Sequence, residues 1–213
     1  AMEELSIYHT GYGSKENQEK KISKRNIRLI QAELSENPDN WEMWGYLGNE
    51  FDSEEERAQA EDAYKKAIML IPEELAEYDN MPSTIFSRLL LLMVSSKEPD
   101  ETAIMETYAQ AVACRPKEAD FDYILGRYYA SCNDFETGEK HLWRALELLE
   151  THGNLAKSAI LSGNIVKAYE LLAICCYNNN KLAECIKLAT MLLKEDPYLT
   201  STIVLYLSAF RKD

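Results

Sequence analysis

Eight residues with a fixed spacing constrain the fold of this 213-residue chain more than any other feature. An aromatic residue, a Leu-Gly pair and a second aromatic residue precede an Ala-x3-aromatic segment, another alanine and a proline. These positions are filled by Trp44, Leu47, Gly48, Phe51, Ala60, Tyr64, Ala67 and Pro72. Gly48 and Ala60 are small enough for two helices to cross closely, and Pro72 cannot continue the second helix because it lacks an N–H donor. The spacing therefore predicts a pair of packed helices.

This pattern resembles the signature of the tetratricopeptide repeat. One such helix pair leaves an apolar face uncovered, so neighbouring pairs must stack on it. Leu125 and Gly126 lie at the equivalent of the Leu-Gly pair in a later repeat. The resemblance implies an all-α fold, a right-handed α-solenoid of about four helix pairs with capping helices.

The prolines mark the expected repeat boundaries. Pro38 and Pro72 are 34 residues apart, which is one tetratricopeptide period. Residues 1–14 are expected to form an N-terminal tail and residues 15–213 a repeat domain. Within that domain we expect a capping half-repeat at 15–38, repeats at 39–72, 73–116, 117–150 and 151–197, and a closing helix at 198–213.

Composition excludes several classes of function. Apolar residues make up 46% of the chain and charged residues 28%, which predicts a soluble globular protein. The net charge of −13 argues against nucleic acid and anionic membranes as partners, because both attract basic surfaces. The longest apolar run, Leu89 to Val94, is too short to span a bilayer.

The five cysteines do not predict a metal site or a disulfide framework. None forms C-x-x-C, so we expect most of them to be buried small side chains, and we expect no cofactor and no metal. The odd number is typical of a reducing cytoplasm. Asp120-Phe121-Asp122 has the form of a D-x-D motif but follows a proline at the start of a predicted helix, where carboxylates favour the helix dipole.

The candidate binding residues follow from the repeat pattern. The first helix of each pair should line the inner surface, and its polar and aromatic residues could contact a peptide. Gly45 stands where peptide-clamping tetratricopeptide domains carry a lysine, which argues against that clamp. The mixture of acidic, aromatic and polar side chains favours a basic or neutral peptide, or an extended acceptor. The candidates are Glu42, Tyr46, Asn49, Asp52, Tyr123 and Arg127.

The N-terminal part supports a second resemblance. The segment 7–13, Ile-Tyr-His-Thr-Gly-Tyr-Gly, precedes a lysine-rich stretch and Arg25-Asn26. This order is similar to the passage from the catalytic domain of bacterial family 2 glycosyltransferases into a C-terminal tetratricopeptide region. The nucleotide-sugar domain of that family, with its metal-binding D-x-D, is not in this sequence. The resemblance implies that His9 is a remnant of the active site of such a parent enzyme.

Two functions therefore remain open. The first is a non-catalytic scaffold, the C-terminal part of a glycosyltransferase, which recruits an acceptor or a partner or mediates self-association. The alternative is a free-standing cytoplasmic adaptor that binds a peptide in its concave groove. Both predict a protein or peptide partner, and neither predicts enzymatic activity in this chain.

Overall fold

A computed structural model of the chain describes residues 25–76, 79–153 and 158–212. The chain divides into two units, Ala1–Glu73 and Glu74–Asp213. All regular secondary structure of the described residues is helical, which confirms the all-α prediction. The predicted tail 1–14, including His9, lies outside the described residues.

The first unit contains helices α1 (Arg25–Glu36), α2 (Trp41–Ser53) and α3 (Arg57–Leu70). The Asn40 side chain caps α2 by accepting a hydrogen bond from the Met43 backbone N–H at 3.1 Å. The helices share a core that includes Ile27, Leu34, Leu47 and Ala63. Helices α2 and α3 are the pair that carries the eight signature residues.

The second unit contains eight described helices, and the Phe86 and Phe121 rings meet edge to face between two of them. Asp100 and Asp134 cap two of the helices through their side chains. Its core cluster includes Tyr123, Leu142 and Leu172. The helices are α4 (Met81–Val94), α5 (Glu101–Cys114), α6 (Ala119–Ser131), α7 (Phe135–His152), α8 (Ala159–Ser162), α9 (Ile165–Asn178), α10 (Leu182–Glu195) and α11 (Thr200–Lys212).

Three helix pairs share one turn geometry. Glu55, Asn133 and Asn180 each adopt a left-handed backbone with φ near 60°, two residues before the second helix begins. Asparagine tolerates this conformation better than most residues, whereas glutamate does not. The recurrence shows that α2–α3, α6–α7 and α9–α10 are built in the same way, as a repeat array requires.

Close helix crossings occur where the sequence predicts them. A Cβ atom built on Gly48 would lie 2.5 Å from two ring carbons of Tyr64, and one on Gly126 would lie 2.7 Å from Cγ of Leu142. Ala60 and Tyr64 are completely buried. The two helices of each of these pairs therefore pack too closely at the glycine for a side chain to fit without a shift.

The apolar character of these helices is that of a packed core. Among the described residues, none of the helices combines the length and the apolarity that crossing a membrane requires.

Candidate peptide-binding groove

The first helices of three pairs in the second unit border a groove of about 480 Å³. Its floor is apolar, and two basic side chains lie along it. The lining residues are Leu91, Val94 and Ser95 of α4, Ile124, Arg127, Tyr128, Ala130 and Ser131 of α6, and Lys167, Leu171 and Ile174 of α9. An apolar floor with few charged groups is the composition that binding sites favour.

The acidic side chains of these three helices have polar partners. Asp120 and Asp122 are buried, and Glu170 is nearly so. Although burial opposes it, hydrogen bonds from Ser201 and Thr202 and the charge of Lys167 hold the pKa of Glu170 below its usual range. The exposed charge of the groove is therefore positive, in a chain whose net charge is −13.

Arg127 is the central cation of the groove. Its guanidinium lies over the Tyr123 ring, 5.6 Å from the ring centroid. It forms no ion pair with any residue in the ranges that the structure describes. Lys167 is 55% exposed and lies 3.5 Å from a carboxylate oxygen of Glu170. Both cations can bind an incoming carboxylate. For Lys167 this costs little, because its ion pair with Glu170 is long and exposed on the lysine side.

A buried polar junction holds α6 between α5 and α7. The Tyr108 hydroxyl of α5 donates to Oδ1 of Asp122 at 2.8 Å, and Nδ1 of His141 on α7 lies 2.8 Å from the same oxygen. Arg144 on α7 completes the charge balance, with its Nε 3.2 Å from Oδ2 but out of line for a hydrogen bond. Burial, and then the Asp122 carboxylate, raise the pKa of Tyr108.

Aromatic rings enclose this junction. The His141 ring stacks on Tyr129 at a centroid distance of 5.8 Å and meets the Tyr108 ring edge to face at 5.4 Å. The Tyr129 hydroxyl donates to Glu101 of α5 at 3.1 Å. These contacts link second helices of successive pairs to α6, so they fix the backbone that carries Arg127.

A second polar cluster fixes the approach to α9. Oδ2 and Oδ1 of Asp120 accept the backbone N–H groups of Ile160 and Leu161 at 3.0 and 2.8 Å. Ser158 donates to Glu118 at 2.7 Å. Asp120 therefore caps the short helix α8, which leads into α9. Burial raises the pKa of Asp120 to about 6, although the two backbone donors oppose the shift.

The sequence predicted that Asp120 and Asp122 only favour the dipole of α6, and this describes part of their role. Asp120 and Asp122 do lie in the first turn of α6. Each also binds groups 14 to 41 residues away, and such long-range partners leave no signal in local spacing. Within the described ranges, no three His, Cys, Asp or Glu side chains are grouped as metal ligands.

Of the predicted binding residues in the second unit, one lines the groove and one does not. Arg127 lies on the groove surface. Tyr123 has no exposed surface because α9 packs over it, with Ala168 and Leu172 in the same core cluster. Its predicted contact with a peptide is therefore corrected to a supporting role beneath Arg127.

The predicted residues of the first unit lie on α2. Tyr46 and Glu42 are exposed, whereas Asn49 accepts a hydrogen bond from the buried Tyr64 hydroxyl at 2.8 Å. Asp52 is half-buried. A cavity of about 600 Å³ in this unit is lined by other residues, including Trp44, Leu47 and Phe51. A ligand role for the α2 set stays a prediction.

Sequence reasoning missed Lys167 and Leu171. Together with Ile174 they recur at the i, i+4, i+7 spacing of one helix side. That signal was readable, but the first helix of the fourth repeat lacks the Leu-Gly pair that marks the first and third repeats. Leu172-Ala173 stand in its place.

Most of the cysteines are buried, as predicted. Cys175, Cys176 and Cys185 are buried, whereas Cys132 is exposed and Cys114 is half-buried. Burial raises the pKa of Cys175 to about 11 and that of Cys176 to about 12. These two side chains are therefore neutral thiols that pack as small apolar groups.

Comparison with known proteins identifies the fold. No protein-family model matches the chain, and no curated protein sequence does. YrrB, whose structure is described as a tetratricopeptide protein with an unusual peptide-binding site, superposes with a TM-score of 0.65 at 17% identity, over 86% of this chain and 82% of YrrB.

Two further structures show the same fold. MamA gives a TM-score of 0.62 at 17% identity, over 90% of this chain and 97% of MamA. Yeast Tom70 gives 0.56 at 16% identity, over 93% of this chain and 41% of Tom70. The helix pairs, their glycine crossings and these likenesses together show that the chain has a tetratricopeptide repeat fold.

Proposed function

We propose that this chain is a non-catalytic protein-interaction module, and that the groove bordered by α4, α6 and α9 binds an extended segment of a partner protein. The observation that carries the proposal is the apolar groove with exposed Arg127 and Lys167. The peptide-binding site of YrrB supports it, because YrrB shares the fold.

The charge of the groove favours an acidic partner segment. Arg127 and Lys167 would pair with its carboxylates, while Leu91 and Leu171 would contact its aliphatic side chains. Charge pairs across an interface mainly select the partner and speed its association, and removing one charge of a desolvated pair is costly. This proposal revises the basic or neutral segment that the sequence favoured, because the acidic residues that suggested it lie on α2 of the first unit.

A selection of random peptides displayed on phage, with the chain as bait, tests the proposal. Labelled versions of the enriched peptides are then titrated by fluorescence anisotropy. We expect acidic and aliphatic residues in the enriched sequences. Arg127→Glu should weaken binding at least about tenfold, or about 1.4 kcal/mol.

Lys187→Glu is the matched control, because Lys187 is an exposed cation on the second helix α10. It should leave the affinity unchanged. No enrichment of any peptide, or equal loss of binding in both variants, would refute the groove as the binding site.

A finer proposal concerns the parent protein. We infer from the segment 7–13 and Arg25-Asn26 that the module belongs to a glycosyltransferase of family 2 and acts there in acceptor recruitment. Asn26 also has a structural use, since it donates to Glu50 at 3.1 Å and ties α1 to α2. Reading the coding sequence upstream tests the parentage, and the absence of a nucleotide-sugar domain there would exclude it.

The cellular location is part of the same proposal. Cys114, Cys132, Cys175, Cys176 and Cys185 are free thiols, and free thiols persist in a reducing compartment. We therefore infer a cytoplasmic location, which immunoblotting of cell fractions tests directly.

A further inference from the structure

The last described helix, α11, is anchored firmly on one side. Thr202 and Ala209 are buried against the second unit, and Leu205 packs on its core. Ser201 and Thr202 donate to Glu170 of α9 at 2.8 and 3.1 Å. The position of α11 on the unit is therefore fixed by both apolar and polar contacts.

The other side of α11 is apolar and exposed. Val204 is 60% exposed, Leu207 47% and Phe210 66%, and Tyr198 in the preceding turn is 86% exposed. Residues three apart lie on one side of a helix, so the first three form a stripe. An exposed apolar stripe of this kind promotes association, because covering it removes apolar surface from water.

Charges at the two ends of this stripe are opposite. Lys194, Glu195 and Asp196 are exposed before α11 and together carry one positive and two negative charges. Arg211 and Lys212 are exposed in the last turn of α11, where the Lys212 ammonium lies 5.1 Å from the centroid of the Tyr177 ring of α9. An antiparallel copy of the same helix would place the basic end of each beside the acidic end of the other. A parallel copy would bring like charges together, so the pattern selects the antiparallel arrangement.

We propose that the exposed side of α11 is a self-association surface, on which α11 of a second copy of this chain packs antiparallel about a twofold axis near Val204. In that register Val204 of one copy faces Val204 of the other copy. Phe210 then approaches the partner's Tyr198, and Arg211 approaches the partner's Asp196, whereas Lys212 stays over the Tyr177 ring of its own chain. Both copies use the same surface patch, as a twofold dimer requires.

The expected affinity is low. A single pair of helices of this length buries less than the roughly 1,200 Å² that separates transient from stable interfaces. The charge of −13 on each copy adds repulsion. The dimer should therefore form in the micromolar range or above, where concentration controls it.

Sedimentation equilibrium of the full chain over a wide concentration range tests the proposal. The average mass should rise from 24.4 kDa towards twice that value. Val204→Glu should keep the chain monomeric throughout. Met69→Glu is the matched control, since Met69 is 78% exposed on α3, far from α11 in sequence; it should dimerise like the unchanged chain.

Cross-linking tests the register. In a Cys132→Ser background, which removes the exposed thiol, Val204→Cys should form a disulfide-linked dimer on mild oxidation, and Met69→Cys should not. A chain that stays monomeric at all concentrations overturns the proposal. So does a dimer that Val204→Glu leaves intact, or equal cross-linking at the two positions.

Discussion

Substitution of Gly48 by alanine tests the packing of a helix pair directly. The added methyl carbon would lie 2.5 Å from two ring carbons of Tyr64, where ordinary contacts begin near 3.4 Å. Tyr64 is completely buried, and its hydroxyl is bonded to Asn49. The ring therefore cannot move aside without breaking packing, so α2 and α3 must separate.

The expected cost follows from two opposing effects. Overpacking a well-filled core destabilises by about 1–3 kcal/mol, whereas replacing glycine by alanine within a helix stabilises by about 0.5–1 kcal/mol. We expect a net loss of about 1–2 kcal/mol in the free energy of unfolding. With a urea dependence of about 1–3 kcal/mol per molar, the unfolding midpoint should fall by roughly 0.3–2 M.

Urea denaturation followed by tryptophan fluorescence measures this loss, because Trp41 and Trp44 lie on α2 itself. Gly163→Ala is the control, since a methyl group there would meet its nearest atom at 3.4 Å. In a Tyr64→Leu background the cost of Gly48→Ala should shrink, because the ring is gone. A stabilising Gly48→Ala, or a cost that is the same in both backgrounds, would refute the steric explanation.

Three further predictions concern the second unit and the turns. Asp122→Ala should destabilise the chain by about 2–4 kcal/mol, because it leaves Tyr108 and His141 without an acceptor. Asp122→Asn should destabilise it by less, because the amide oxygen still accepts. Urea denaturation of the two variants measures the difference. Protonated Asp120 stabilises the folded state, because burial raises the folded pKa from 3.8 to about 6. This contribution is complete below pH 3.8 and is lost as the pH rises through about 6, so the unchanged chain should lose stability over that range relative to Asp120→Asn. Glu55→Asn should raise the thermal midpoint, by a stabilisation of about 0.5–1 kcal/mol, because asparagine suits the φ of 62° at this turn.

Each of these predictions has a contradicting result. Equal effects of Asp122→Ala and Asp122→Asn would show that the carboxylate bonds contribute little. Parallel pH profiles for Asp120→Asn and the unchanged chain would exclude titration of that group. A destabilising Glu55→Asn would show that the Glu55 side chain makes a contact worth more than the backbone strain.

Local spacing predicted the helix pairs well, because helical faces depend on residues three and four apart. Gly48 and Gly126 could be assigned to crossings for this reason. Asp120 and Asp122 could not be understood in this way, since their partners lie up to 41 residues away. Tyr123 was placed on the exposed surface from its membership of a first helix, yet its burial depends on how α9 packs against α6.

The most direct test of the proposed function is to locate a bound peptide on the molecule. A peptide selected by phage display is titrated into the isotopically labelled chain, and changes in backbone amide chemical shifts are mapped by NMR. The proposal predicts that the largest changes fall on α4, α6 and α9 around Leu91, Arg127 and Leu171. Changes confined to the second helices or to the first unit would contradict it.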